Sequence, residues 1–397
     1  MYATMSQFKG HRAFVILMYL AIVMCIVFIF ESYHLSEMSK HGVNGVTNPL
    51  IGRYFSLLRF IFVAFVSLMC LFIKFKKTLL YVYLLMFNFY LLLQFFFNSE
   101  FLWFSAALNS YTSSCLWIYV YFYSYICTYK YRCFFSVERI TCFLSVLFFV
   151  LFLRNYIVNA SRGIQWSYIE SYFMITILPV LPWLNVKLRY LVGGMASLTM
   201  LLAAKRTGIL MGGVVFMCYM TSRINSLLNF FKAFLFAILI GGIGSCIISI
   251  CFDKQFNHLF QRFQNISEDG GSGRDIVFAK VFYSIFDSST GDFVFGHGYN
   301  AVLLDKVGFG FSAHNEFLEV FYDYGLVGIM MFSMLFVLLL RIWRQFNGHP
   351  VGSTALMSCL ALLMLSMTSH SILTTTSILP LALMWGYIDA YKHALKR

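Results

Sequence analysis

The chain has 397 residues, 60% of them hydrophobic and 11% charged, and carries a formal net charge of +13. Soluble domains average about 25% charged and about 45–50% apolar residues, so this chain has too few charges to cover a water-exposed surface. Nor does the basic excess point to nucleic acid, because the Lys and Arg residues sit in short segments between long apolar runs, as membrane topology requires.

The first apolar run, residues 13–30, follows Lys9 and Arg12. It is too long for the apolar stretch of a signal peptide, and no small-residue cleavage site follows, so it reads as a retained first span. A span needs about 20 apolar residues, and this rule predicts an all-α, polytopic transmembrane protein of about twelve spans. These fall at 13–31, 54–73, 78–97, 107–128, 138–153, 168–185, 188–204, 207–222, 231–251, 319–341, 353–370 and 372–391. The ten cysteines lie in or beside these runs and lack CxxC spacing, which argues against a disulfide framework or a zinc site.

Charge predicts the orientation. Lys9 and Arg12, Lys74 to Lys77, Lys130 to Arg139, Lys187 and Arg189, Arg223 and Lys232, Arg341 and Arg344, and the basic tail Lys392 to Arg397 occupy alternate segments, where only Glu138 and Asp389 are acidic. Those segments are expected to face the cytoplasm, with both termini inside. The segment 252–318 falls on the other side and holds half of the 16 acidic residues. The predicted organisation is therefore spans one to nine in 1–251, a large, partly helical periplasmic loop in 252–318, and the last three spans with a cytoplasmic tail in 319–397.

That loop has internal pattern. Phe252, Phe256, Leu259, Phe260 and Phe263 recur at helical spacing and predict an amphipathic helix on the membrane surface. A polar Gly-rich turn leads to Arg274, a second amphipathic stretch covers 276–286, and Gly-rich turns run through 296–298 and 308–310. The loop ends in Ser-Ala-His314-Asn-Glu-Phe-Leu-Glu319. Loops this long are usually disordered or functional, and this one is patterned.

Several residues invite a chemical reading. Lys205-Arg206 falls at the outer end of the seventh span, against the charge bias, and serves either as a snorkelling helix anchor or as an anion site. Arg274 opens a helix after a Gly-Gly-Ser-Gly turn, where an anion would meet both helix N–H groups and guanidinium; the plainer reading is a solvated arginine paired with Asp275. His314 stands before a span, near Glu316 and Glu319, as a proton acceptor or as a packing residue. Gly325 and Gly328 read as a close helix-packing pair. Glu31, His34, Glu37 and His41 in the first outer loop could hold a metal, although solvation explains them as well. Arg59, within the second span, is expected to snorkel outward or to touch substrate. There is no P-loop, no GxGxxG after a strand and no HExxH.

In three places the chain resembles the O-antigen polymerase and O-antigen ligase superfamily of bacterial surface-polysaccharide assembly. They are Ala203-Ala-Lys-Arg206-Thr-Gly, then Gly-Ser-Gly-Arg274 with Phe295-Gly-His-Gly298, and then His314-Asn315 followed by Gly325-Leu-Val-Gly328. The twelve-span layout with one large loop before the tenth span also matches. The segment 312–328 and the Lys before Arg206 look more like the polymerase branch.

The resemblance implies a membrane glycosyltransferase of the bacterial inner membrane, in lipopolysaccharide biosynthesis, that needs no metal or cofactor. Arg206 and Arg274 would engage an undecaprenyl-pyrophosphate-linked oligosaccharide, and His314 would be essential as base or orienting group, with Glu316 or Glu319 as alternative bases. Lys205, Asn315, Glu316, Glu319, His297 and Arg59 complete the expected substrate contacts. The expected partners are the lipid-linked glycan, membrane lipid and a chain-length regulator protein, with no nucleic acid. The alternatives are a ligase that transfers the glycan to lipid A–core and a transporter of lipid-linked oligosaccharide. A transporter would call for ionisable residues at mid-membrane, and the spans are nearly free of them.

Overall fold

Proline and glycine interrupt two of the predicted spans. The computed structural model describes residues 49–97, 104–131, 137–161, 170–203, 212–215, 274–299, 301–305, 307, 313–368 and 378–395. Among the described residues every element is helical. Four helices among the described residues are long and apolar enough to cross a membrane, at Leu79–Phe96, Thr141–Val158, Glu316–Gln345 and Pro350–Met367, and on that ground the chain is a membrane protein. It divides into two units, one formed by Met1–Phe135 with Ile372–Arg397 and the other by Ser136–Ser371.

In the first unit, α1 (Pro49–Phe72), α2 (Leu79–Phe97) and α12 (Leu379–Leu395) pack around α3 (Phe104–Tyr131). From Leu116 to Thr128 every residue of α3 is buried, so this helix forms the unit's core. Gly386 permits the closest approach: a Cβ there would lie 2.5 Å from the Tyr121 carbonyl oxygen. Ser124 Oγ donates to the Leu383 carbonyl at 2.7 Å across the same contact. Small residues and interhelical hydrogen bonds of this kind drive helix packing in lipid, where apolar burial alone gives little. The outer face of α2 shows Val82, Met86, Phe89, Leu93 and Phe96 at helical spacing, a stripe suited to lipid.

Asp389, an acid of the predicted cytoplasmic side that also falls within the predicted span 372–391, lies in α12 and is fully buried. Its Oδ2 accepts from Tyr121 OH at 2.5 Å and from Thr78 Oγ1, and Lys392 pairs with it one helical turn later. A carboxylate withdrawn from water needs such a set of partners.

The second unit contains α4 (Val137–Ser161), α5 (Glu170–Ile177), a 3-10 turn (Leu178–Trp183), α6 (Val186–Leu202), α7 (Arg274–Phe286), α8 (Thr290–Phe295), α9 (Ala301–Leu304), α10 (Glu316–Gln345) and α11 (Pro350–Thr368). The predicted span 168–185 is not one α-helix. Pro179 and Pro182 lack the N–H that an α-helix interior requires, so the backbone tightens to a 3-10 turn after Ile177. Side chains satisfy the released carbonyls. Thr354 Oγ1 donates to Pro179 O at 2.8 Å, while Arg189 Nη2 donates to Leu184 O at 2.7 Å.

The predicted span 319–341 also differs. Its helix starts at Glu316, and Gly325 interrupts it with φ 65° and ψ −167°. Glu316, Glu319 and Asp323 all precede the break, whereas the run from Leu326 to Leu340 has no charge. The acids and the apolar run thus occupy separate helical segments.

Candidate functional site

The sequence-predicted site residues that can be placed lie mostly where α7, α8 and α9 pack on the first segment of α10. Val281 and Ile285 of α7, Ala301 and Val302 of α9, Ala313 and Tyr322 form a common buried core. Burying an aliphatic side chain of this size contributes about 1.5–3 kcal/mol, so a few such residues suffice to hold the short helices in place. Ala313 in that core fixes the neighbouring His314.

Asn315 starts α10. Its Oδ1 accepts from the N–H groups of Phe317 at 3.1 Å and Leu318 at 3.3 Å, as an N-cap side chain does. His314 precedes the cap with φ 50°, in the left-handed region. A non-glycine residue there costs on the order of 1–3 kcal/mol unless its surroundings enforce the conformation. Glu319 supplies one such restraint, because its Oε1 accepts the His314 backbone N–H at 3.1 Å. The imidazole itself is half-buried.

Glu316 and Glu319 are both buried. Ser366 Oγ of α11 donates to Glu316 Oε2 at 3.2 Å, which ties the start of α10 to the end of α11. The two carboxylates therefore serve the backbone and the helix pair in this structure.

Gly325 is both the break in α10 and a close-packing position: what meets it is the end of α8 at Val294, with Gly296 just beyond. A Cβ on Gly325 would lie 2.5 Å from the Gly296 nitrogen, and Gly296 itself has φ 86°. The break also frees carbonyls. An uninterrupted helix would direct the Tyr322 and Asp323 carbonyls to residues 326 and 327. Here they accept from His297 N–H at 3.0 Å and Gly298 N–H at 2.9 Å. Two segments far apart in sequence, Phe295-Gly-His-Gly298 and Gly325-Leu-Val-Gly328, are thereby joined by backbone contacts.

His297 is oriented by side chains as well. Its ring stacks on Tyr322, with centroids 4.2 Å apart and planes 13° from parallel. Ser288 Oγ lies 2.8 Å from its Nε2 and donates its own hydrogen to the Ser284 carbonyl at 2.6 Å. The serine oxygen is then the acceptor, and Nε2 carries the hydrogen. Tyr322 OH donates to Asp305 at 3.1 Å, and Asp323 Oδ1 accepts from Val302 N–H at 3.0 Å in the first turn of α9. Tyr322, Asp323, Ser288 and Asp305 were not singled out from sequence. Asp323 was legible as an acid just before an apolar run; the other three owe their role to tertiary placement.

Arg274 is the first residue of α7 and is partly exposed. Arg59 belongs to the other unit, on α1, where its Nη2 donates to Ser56 Oγ at 3.3 Å. Lys205 and Arg206 lie outside the described residues, as do Glu31, His34, Glu37, His41 and the predicted surface helix at 252–263. The structure thus brings His314, Asn315, Glu316, Glu319 and His297 onto one helical assembly with α7, the helix that Arg274 opens.

No protein family matches the chain, and no curated protein does either.

Proposed function

We propose that the chain is an O-antigen polymerase, a membrane glycosyltransferase that joins undecaprenyl-pyrophosphate-linked repeat units at the periplasmic face of the inner membrane, within a fold of about twelve spans. The observation that carries this reading is the docking of Phe295-Gly-His-Gly298 on the α10 break at Gly325, just beyond the strained His314 at the start of the same helix. Segments of two of the three places behind the resemblance are joined by backbone contacts, and strained backbone at a polar, half-buried residue is the kind of feature that functional sites retain.

The chemistry follows from the donor. An acceptor sugar hydroxyl attacks the anomeric carbon of the lipid-linked glycan, a new glycosidic bond forms, and the bond to pyrophosphate breaks. The hydroxyl proton passes to a base, for which His314 is the candidate, and undecaprenyl pyrophosphate leaves with its electron pair. Fixed positive charge from Arg206 and Arg274 lowers the cost of that departing anion. Direct displacement inverts the anomeric centre.

Complementation tests the reading. In a strain lacking its polymerase, whose core carries only a single repeat, the chain should restore a ladder of long-chain polysaccharide. If it instead restores transfer to core in a strain lacking its ligase, where polymer is stranded on the carrier lipid, the ligase reading replaces this one. Restoration of neither ends the glycosyltransferase assignment.

A further inference from the structure

Helix α7 is apolar on two opposite sides. One side, Val277, Phe278, Val281 and Ile285, packs into the core shared with α9 and α10. The other carries Ile276, Ala279, Tyr283 and Phe286, with Phe282 beside them, at spacings of three and four residues along one helical face. These side chains are exposed, Tyr283 to 67%. Lys280 lies exposed along one edge. An aqueous surface helix would place polar residues there; apolar residues on both faces mark a helix that is covered twice.

What covers the outer face follows from continuity. Phe282 and Phe286 rings lie 4.9 Å apart, and Phe286 meets Phe293 of α8 at 6.0 Å. Phe295 ends α8 and is 55% exposed. The next residue, Gly296, is in backbone contact with Gly325 of α10. Directly after Gly325 begins the exposed stripe Leu326, Met330, Met334 and Val337. That stripe is the open face of a helix long and apolar enough to cross a membrane. The exposed aromatic residues of α7 and α8 and the exposed apolar stripe of α10 thus lie on either side of the Gly296–Gly325 backbone contact.

We infer that α7 docks on the lipid bilayer, with Ile276, Tyr283 and Phe286 in the boundary between headgroups and acyl chains and Phe295 at the entry to the span. Aromatic residues favour that depth, and a helix with such a face lies in the interface plane. The docking sets the break at Gly325 at the membrane surface and brings the start of α7, where Arg274 stands, to the level of lipid phosphates. It depends on the membrane character of α10 and is independent of the glycosyl-transfer reading.

Photo-crosslinking of the full-length protein tests this. Benzoylphenylalanine is placed singly at Tyr283, Phe286, Met330 and Ser289, and each protein is reconstituted in vesicles of phosphatidylethanolamine and phosphatidylglycerol and irradiated. Lipid adducts at Tyr283 and Phe286 should match those at Met330 and exceed those at the exposed turn residue Ser289 by roughly tenfold. Adducts at Met330 without adducts at Tyr283 and Phe286 would overturn the docking. Protein–protein adducts at Tyr283 would also overturn it, by making a second copy the occupant. Absence of lipid adducts at all four positions would remove it together with the span assigned to α10. None of these outcomes depends on enzymatic activity.

Discussion

Gly296 and Gly325 meet backbone to backbone, each with positive φ and neither with room for a side chain. Gly325→Ala should therefore cost both the strain of a backbone conformation (φ 65°, ψ −167°) that essentially only glycine adopts and a steric clash, together about 2–6 kcal/mol, and should detach the Phe295–Gly298 loop from α10. Gly348 is the natural control, since it has φ 79° but nothing within 4 Å of its missing Cβ. Gly348→Ala should cost only about 1–2 kcal/mol. Thermal unfolding of both variants in detergent measures the difference; equal losses would mean that the loop contact contributes nothing.

His314 combines an imidazole with a conformation that asparagine tolerates better than most residues. His314→Asn should keep the φ of 50° and the backbone bond to Glu319 while deleting the ring. Protein level and unfolding temperature should stay close to wild type, and long-chain polysaccharide should fall by about 10²-fold or more if the ring takes the proton. Normal ladders from this variant, properly inserted, would remove His314 from the chemistry.

The carboxylate of Glu319 has a structural duty that can be separated from any chemical one. Glu319→Gln keeps an oxygen to accept the His314 N–H, whereas Glu319→Ala leaves that donor without its acceptor, at a cost of about 1–3 kcal/mol. The glutamine variant should hold stability within about 1 kcal/mol of wild type. If it nevertheless loses polysaccharide, the negative charge matters; if both variants keep activity, Glu319 is removed as an alternative base.

Helix existence was readable, whereas its punctuation and partners were only partly so. The stretch 276–286 anticipated α7 within two residues of its start at Arg274, because apolar periodicity and a preceding Gly-rich turn are local signals. Pro179 and Pro182 stood in plain view inside the predicted span 168–185, but a length rule ignores the missing N–H groups. Gly325 reads from sequence as a packing glycine, and its contact with Val294 of α8 agrees; its positive φ is not legible, because glycine serves packing and positive φ equally well. The buried hydrogen bonding of Asp389 is not legible in the sequence, because its partners Thr78 and Tyr121 come from distant segments, which no local pattern records. The Ser288–His297–Tyr322 arrangement is hidden for the same reason, although the resemblance itself points to His297.

Asp389 should prove costly to remove. Asp389→Ala would strand Lys392 without its partner and take away the acceptor to which the Tyr121 and Thr78 hydroxyls donate at a buried position. Breaking one side of a buried pair costs about 3–5 kcal/mol, enough to lower the amount of folded protein in the membrane. The double variant Asp389→Leu with Lys392→Met removes both charges and should recover part of that loss. Recovery is read as membrane-extracted protein surviving a fixed heating step; a double variant no better than Asp389→Ala would show that the hydroxyl partners, not the charge pair, set the cost.

His349 gives the chain a pH-sensitive corner between α10 and α11. Its Nδ1 accepts from Val351 N–H at 3.2 Å, and burial holds its pKa below the ordinary value of 6.5. Protonation would remove that acceptor from the first turn of α11. Because the folded state prefers the neutral ring, its contribution is fully present above pH 6.5 and is lost as pH falls through the lowered folded-state pKa. His349→Asn supplies an oxygen acceptor that does not titrate at these pH values. Between pH 8 and pH 5 the wild type should lose more unfolding temperature than this variant does. Parallel losses would show that His349 has no part in the acid sensitivity of the α10–α11 corner.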